Sequence, residues 1–311
     1  MLHLVHHPGY VVEAARSGTF PHDKYALVMR ALAASGVPMT VHEPEVLPLA
    51  WLEAVHDPAY VEEVVRCTVP PAKQRRIGFA IDERISRRSQ LSPGGTWLAA
   101  KLALEHGYAA NSAGGSHHAL ADSGAGYCVF NDLALAANRL IEEGDVARIL
   151  ILDLDVHQGD GTAALTAGRS DIFTLSVHAE KNFPSRKARS SLDIALPDAT
   201  GDADYLEALG GSLPPVLDHF APQLILLQAG VDAHADDKLG RLALTDEGLA
   251  ARDRMVGGEA RRRGIALAST LGGGYGADRE AVALRHARTI LTLGAAIGGT
   301  HPQASPPSPC P

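Results

Sequence analysis

A chain of 311 residues, 46% apolar and 21% charged, is long enough to bury a large core and too apolar to remain unfolded. Its formal net charge of -8 argues against nucleic acid as a direct partner, and without any run of about 18 apolar residues no membrane span is expected. The segment Met1 to Pro8 lacks the charged-then-apolar pattern of an export signal, and Cys67, Cys128 and Cys310 have no paired spacing, so a reducing, cytoplasmic setting is expected.

Residues 73 to 88 carry Lys73, Arg75, Arg76, Arg84, Arg87 and Arg88 against only Asp82 and Glu83, the pattern of a solvated helix or loop face. Further on, Gly114 and Gly115 precede Ser116, His117 and His118. The glycines permit a tight turn that presents both imidazoles at the floor of a cleft, where two histidines suit acid-base work. The aliphatic run Ile149 to Leu152 suits a strand buried on both faces of a parallel sheet, and it ends abruptly in Asp153, Asp155, His157 and Asp160. Alternation along a strand sends Asp153, Asp155 and His157 to one side, where carboxylates and an imidazole can converge on one cation.

Similar apolar runs at Ile172 to Val177, Leu224 to Gln228 and Ile265 to Leu271 alternate with segments of helical length. Helical spacing covers Ala203 to Phe220 and Thr245 to Arg263; the second has Asp246 and Glu247 at its start and Arg261 to Arg263 at its end, matching the helix dipole. This alternation predicts one α/β domain over residues 1–297 with a mainly parallel sheet and helices on its faces. The proline-rich segment 298–311 is too poor in apolar side chains to order itself and is expected to be a disordered tail.

Unusual polar or glycine clusters follow the strands at 114–118, 155–157, 178–181, 232–234 and 272–276, and five clusters at one end of a sheet imply one shared cleft. Asp232 would complete a set of two carboxylates and one histidine with Asp155 and His157. An open position for water in such a set means catalysis rather than structure. Tyr275, after three glycines, could bring its hydroxyl close to a substrate carbonyl. The glycine run lacks G-x-G-x-x-G spacing, which argues against a dinucleotide site. Cys128 reads as a small buried filler rather than a nucleophile.

In this order, the segments around His117 and His118, Gly126 to Cys128, Asp153 to Gly161, Gln228 to Asp232 and Gly272 to Tyr275 resemble the zinc-dependent histone deacetylase superfamily over nearly the whole chain. The segment His178 to Lys187 and the compact length look most like its class IV branch and bacterial relatives. The resemblance implies an arginase-like open α/β fold, one zinc ion held by Asp155, His157 and Asp232, and Tyr275 as the oxyanion donor. It also implies proton transfer by His117 and His118, oriented by Asp153 and Asp160, and an acyl-lysine channel lined by Gly126, Tyr127 and Phe183. Tyr127 departs from the family's usual phenylalanine, so a polar tip edges that channel. A structural potassium ion would use main-chain oxygens near Asp153, Asp155 and His157 with Ser176 and Val177.

The implied substrate is acylated lysine in a protein or a small acylated amine, with oligomeric state open. Two other readings share these residues: a two-manganese ureohydrolase, for which His234 and Asp236 are the spare ligands near Asp232, and a catalytically silent acyl-lysine-binding module.

Overall fold

A computed structural model describes residues 1–12 and 20–298. Among the described residues eight strands form one sheet: β1 (Leu2–Val5), β2 (Met39–His42), β3 (Tyr108–Asn111), β4 (Ile149–Asp153), β5 (Ile172–Ala179), β6 (Leu192–Leu196), β7 (Leu224–Gln228) and β8 (Ala266–Thr270). Their order is β2-β1-β3-β8-β7-β4-β5-β6, and every neighbouring pair is parallel. All carboxyl ends therefore lie along one edge. The chain builds the β1 side first, jumps to β4 on the other side, and returns to fill the middle with β7 and β8. Segments following β3, β8, β7 and β4 meet at this reversal of strand order, the place where open α/β sheets form their crevice.

Alternating side chains divide the core into two layers. Leu150, Leu152, Ile225 and Leu227 face one layer with Leu209, Leu213 and Val256, while Ile149, Ile151, Leu224 and Leu226 face the other with Ala99, Ala136 and Leu140. Each such aliphatic side chain, withdrawn from water, contributes on the order of 2 kcal/mol. The first layer is covered by helices Lys24–Ala34, Asp202–Phe220, Asp246–Arg263 and Arg279–Gly298, the second by Glu83–His106 and Asp132–Glu142. Helices thus lie on both faces, as the alternation requires.

The strand expected at Leu224 to Gln228 is present with those bounds and the other three with one or both ends moved by one or two residues, and the helix expected over Thr245 to Arg263 runs Asp246–Arg263. There Thr245 caps the N-terminus by accepting from Gly248 N–H. Strands β1, β2, β3 and β6 have no counterpart among the expected runs; each has four or five residues, and β2 and β6 are mostly half-exposed. Inside helix Asp246–Arg263, Arg252 is fully buried, paired with Asp253 (2.9 Å) and donating to Gly230 O (2.7 Å). It ties that helix to the loop after β7. Among the described residues no helix is long and apolar enough to cross a membrane. The tail expected over 298–311 lies outside the described residues apart from Gly298, which closes the last helix.

Candidate active site

After β3, Gly114 and Gly115 adopt left-handed φ of 82° and 85°. The buried carboxylate of Asp132, at the start of helix Asp132–Glu142, accepts from Gly115 N–H (3.0 Å) and Ser116 N–H (2.7 Å) and pins the turn. His117 and His118 are thereby held side by side, ring centroids 4.0 Å apart. His117 Nδ1 bonds Asp153 Oδ2 (2.7 Å) and His118 Nδ1 bonds Asp160 Oδ1 (2.7 Å).

The two imidazoles have opposite electrostatics. Burial works against charge on His117, but the carboxylates of Asp153 and Asp155 override it and raise its pKa to about 9. Burial, joined by the charge of His117, pushes His118 down to about 3.

Asp155, His157 and Asp232 bring three ligand atoms within 4.8 Å of one another, all buried. Asp155 Oδ2 accepts from Gln228 Nε2 (2.9 Å) and Gly273 N–H (2.8 Å), and Asp232 Oδ1 accepts from Val156 N–H (2.9 Å). These bonds aim the remaining oxygens inward. Asp232 Oδ2 is buried, lies 3.2 Å from His157 Nδ1 and has no hydrogen-bond partner among the described residues. Burial and the facing carboxylate of Asp155 push the Asp232 carboxyl above its usual range. A cation between the two carboxylates would remove that conflict, so the donor set fits a divalent metal. Backbone must approach closely here: a Cβ on Gly273 would stand 1.9 Å from Asp232 Oδ2.

Asp153 does not join this group. Its side chain leaves β4 on the expected side but bonds His117, and Asp232 takes the third position instead. The cleft draws on four of the five expected clusters, and two of their histidines stay out of it. His178 is buried within β5, its ring bonded to Ser176 Oγ (2.9 Å), and His234 Nδ1 accepts from Asp236 N–H (3.0 Å); neither lines the cavity. The 178–181 segment contributes through the residues that follow it, Asn182 and Phe183.

A cavity of about 410 Å³ holds the site. Phe183 stands edge-on to His118 (4.8 Å), and a Cβ on Gly126 would reach 2.7 Å from the His118 ring and 3.2 Å from Phe183, so only glycine leaves that passage open. Tyr127, at φ 67°, donates its N–H to Ile77 O (2.7 Å) and packs 5.6 Å from Tyr275. Tyr275 is fixed through its N–H, donated to Asp237 Oδ2 (2.6 Å). Burial and the charges of Asp155 and Asp232 raise its hydroxyl well above the usual tyrosine range, keeping it a donor. Cys128 is buried and its thiol is pushed up by burial, which suits an inert filler.

The basic segment departs from expectation. Arg75, Arg76, Arg84 and Arg87 are exposed, but Arg76 O accepts from Gly126 N–H (3.1 Å), so the segment builds the cavity wall, and Arg88 turns inward. Lys24, Asp132, Gln228 and Asp237 were also missed as site residues. Asp132 had a signal, an Asn-Asp pair before a helix; Lys24 had none.

A family model described as Histone deacetylase domain matches residues 19–291. The chain belongs to the histone deacetylase family. The family comprises hydrolases acting on amide bonds. An uncharacterized protein of Picosynechococcus sp. is 43% identical over 285 residues, 91% of this chain and 95% of that protein. A probable deacetylase of Methanothermobacter thermautotrophicus is 27% identical over 292 residues, 90% of this chain and 86% of that protein. The crystal structure of acetylpolyamine aminohydrolase from Burkholderia pseudomallei shares the fold at 22% identity and a TM-score of 0.79, covering 95% of this chain and 99% of that one.

Proposed function

We propose that residues 1–297 form one zinc-dependent amidohydrolase domain that removes acyl groups from acylated lysine or a related acylated aminoalkyl compound. The observation that carries this reading is one cavity in which a buried Asp-His-Asp donor set faces two histidine-carboxylate pairs of opposite protonation tendency.

Asp155, His157 and Asp232 would hold the zinc, which supplies a Lewis acid for the amide carbonyl and acidifies water toward a pKa near 7. His118, neutral and held at Nδ1 by Asp160, takes the proton from the attacking water at its other nitrogen. His117, kept protonated by Asp153, delivers a proton to the departing amine, which is too basic to leave as an anion. The Tyr275 hydroxyl donates to the oxygen that becomes negative as the carbonyl is attacked. Gly126, Tyr127 and Phe183 flank the aliphatic stem and exclude water from it.

A structural potassium ion belongs to the same proposal, because the sheet register sets Asp153 beside Ser176 and brings their main chains together. A second metal of the ureohydrolase type has poor support: Asp236 is bound to Arg285 (3.0 Å), and His234 Nδ1 is occupied. Hydrolysis of an acetyl-lysine peptide by the purified chain, lost with a chelator and restored by zinc, tests the proposal; no turnover with zinc bound would contradict it.

A further inference from the structure

The cavity has an exposed rim at Phe183, 46% exposed, and a buried end at Lys24, 4% exposed. Lys24 Nζ donates to Gly272 O (2.7 Å), and the next residue, Gly273, donates its N–H to Asp155 Oδ2 (2.8 Å), so this cation stands directly behind the donor set. Arg88 lines the same cavity. Its guanidinium lies 5.0 Å from the Phe20 ring centre and 4.6 Å from that of Tyr25, and donates to the Tyr25 hydroxyl. Ser89 and Ser92 add hydroxyls to this end.

Among the described residues no carboxylate forms an ion pair with Lys24 or Arg88. The carboxylates of Asp232, Asp155 and Asp237 all act on Lys24; the first two belong to the donor set, and the oxygens of Asp237 are engaged by the N–H groups of Tyr275, Leu239 and Gly240. Among the described residues the Arg88 side chain is partnered by the Tyr25 hydroxyl and two ring faces, so a carboxylate brought by a ligand would supply its counter-ion.

An acylated amine placed for hydrolysis fixes which part meets them. With the aliphatic stem between Gly126 and Phe183 and the carbonyl at Asp155, His157 and Asp232, the acyl group extends toward Lys24 and Arg88. We infer that this end receives an acyl chain terminating in a carboxylate, of the succinyl or glutaryl class, and that Arg88 determines that specificity. The inference rests on the amidohydrolase reading. A guanidinium matches a carboxylate with two parallel hydrogen bonds, and stacking on Phe20 and Tyr25 already restrains the Arg88 side chain. The hydrolysis itself is balanced by water: the amide C–N bond breaks, hydroxide joins the acyl carbon, the amine takes the proton, and a dicarboxylate leaves.

The test compares kcat/KM of the zinc-loaded chain on one peptide carrying succinyl-, glutaryl-, butyryl- or pentanoyl-lysine, pairs matched in length but not in charge. A preference of tenfold or more for the anionic member is expected, lost in Arg88→Met and largely kept in Arg88→Lys. Calorimetry on the metal-free chain with glutarate and pentanoate supplies a second readout, with glutarate binding at least tenfold tighter and Arg88→Met erasing the difference. Equal or better turnover of the neutral acyl groups overturns the inference while leaving the amidohydrolase reading standing. No turnover of any acyl-lysine by the zinc-loaded chain overturns both.

Discussion

His117 and His118 are chain neighbours with rings 4.0 Å apart, yet Asp153 holds one Nδ1 and Asp160 the other, and their surroundings drive them to opposite protonation states. The pair can therefore keep an acid and a base ready at once, which hydrolysis of an amide demands.

The alkaline limb of activity follows from that division. In the proposed reaction His117 holds a proton, and its pKa of about 9 is raised by Asp153 and Asp155, so kcat should fall as pH rises through 9 or slightly below it, since a bound metal offsets Asp155. Asp153→Asn removes the largest raising influence and should move this limb down by about one unit or more. A pH-rate profile with an unmoved limb would separate it from His117.

Tyr275→Phe removes a hydroxyl and leaves its backbone anchor to Asp237 intact. Turnover should drop by about 10²- to 10³-fold, the cost of one oxyanion donor, with zinc content unchanged. Full activity in this variant would exclude the hydroxyl from the reaction.

Gly126→Ala places a Cβ 2.7 Å from the His118 ring at a residue with φ of 51°. KM for acyl-lysine substrates should rise at least tenfold while zinc still binds, because the substitution narrows the passage between His118 and Phe183. Unchanged KM would place the stem elsewhere.

Stability should fall on the acid side of neutrality. His56 is buried, donates from Nδ1 to Leu120 O (2.9 Å) and accepts Asn131 N–H at Nε2 (3.0 Å), and burial lowers its pKa to about 4; burial does the same for His178. The unfolded chain binds these protons near pH 6.5 and the folded chain does not. Stability is therefore complete above 6.5 and declines as pH falls toward 4, by on the order of 3 kcal/mol for each histidine. Urea midpoints measured between pH 7 and 4 check the slope, which should be shallower in His56→Gln.

Much of the site was legible because its residues sit in short segments with strong local signatures. The aliphatic run Ile149 to Leu152 announces β4, and the acids and imidazole after it have no packing reason to follow a buried strand. Four of the eight strands were not legible: β1, β2, β3 and β6 are short and lack the long aliphatic run of a central strand. Asp153 shows the limit of strand alternation, which gives the side a residue faces but not its partner; that depended on where the loop after β3 brings His117. Lys24 and Arg88 illustrate the same point over longer range, since nothing near them in sequence marks a cavity that forms only when helices Lys24–Ala34 and Glu83–His106 pack beside the sheet.

In the proposed reaction a single metal at Asp155, His157 and Asp232 switches on amide hydrolysis. Titrating zinc into the metal-free chain while following acyl-lysine hydrolysis tests it, with Asp232→Ala as the paired variant. Activity should rise linearly and break at one zinc per chain, and Asp232→Ala should lose both the break and the activity. Hydrolysis without metal, or a break at two equivalents of manganese, would contradict it.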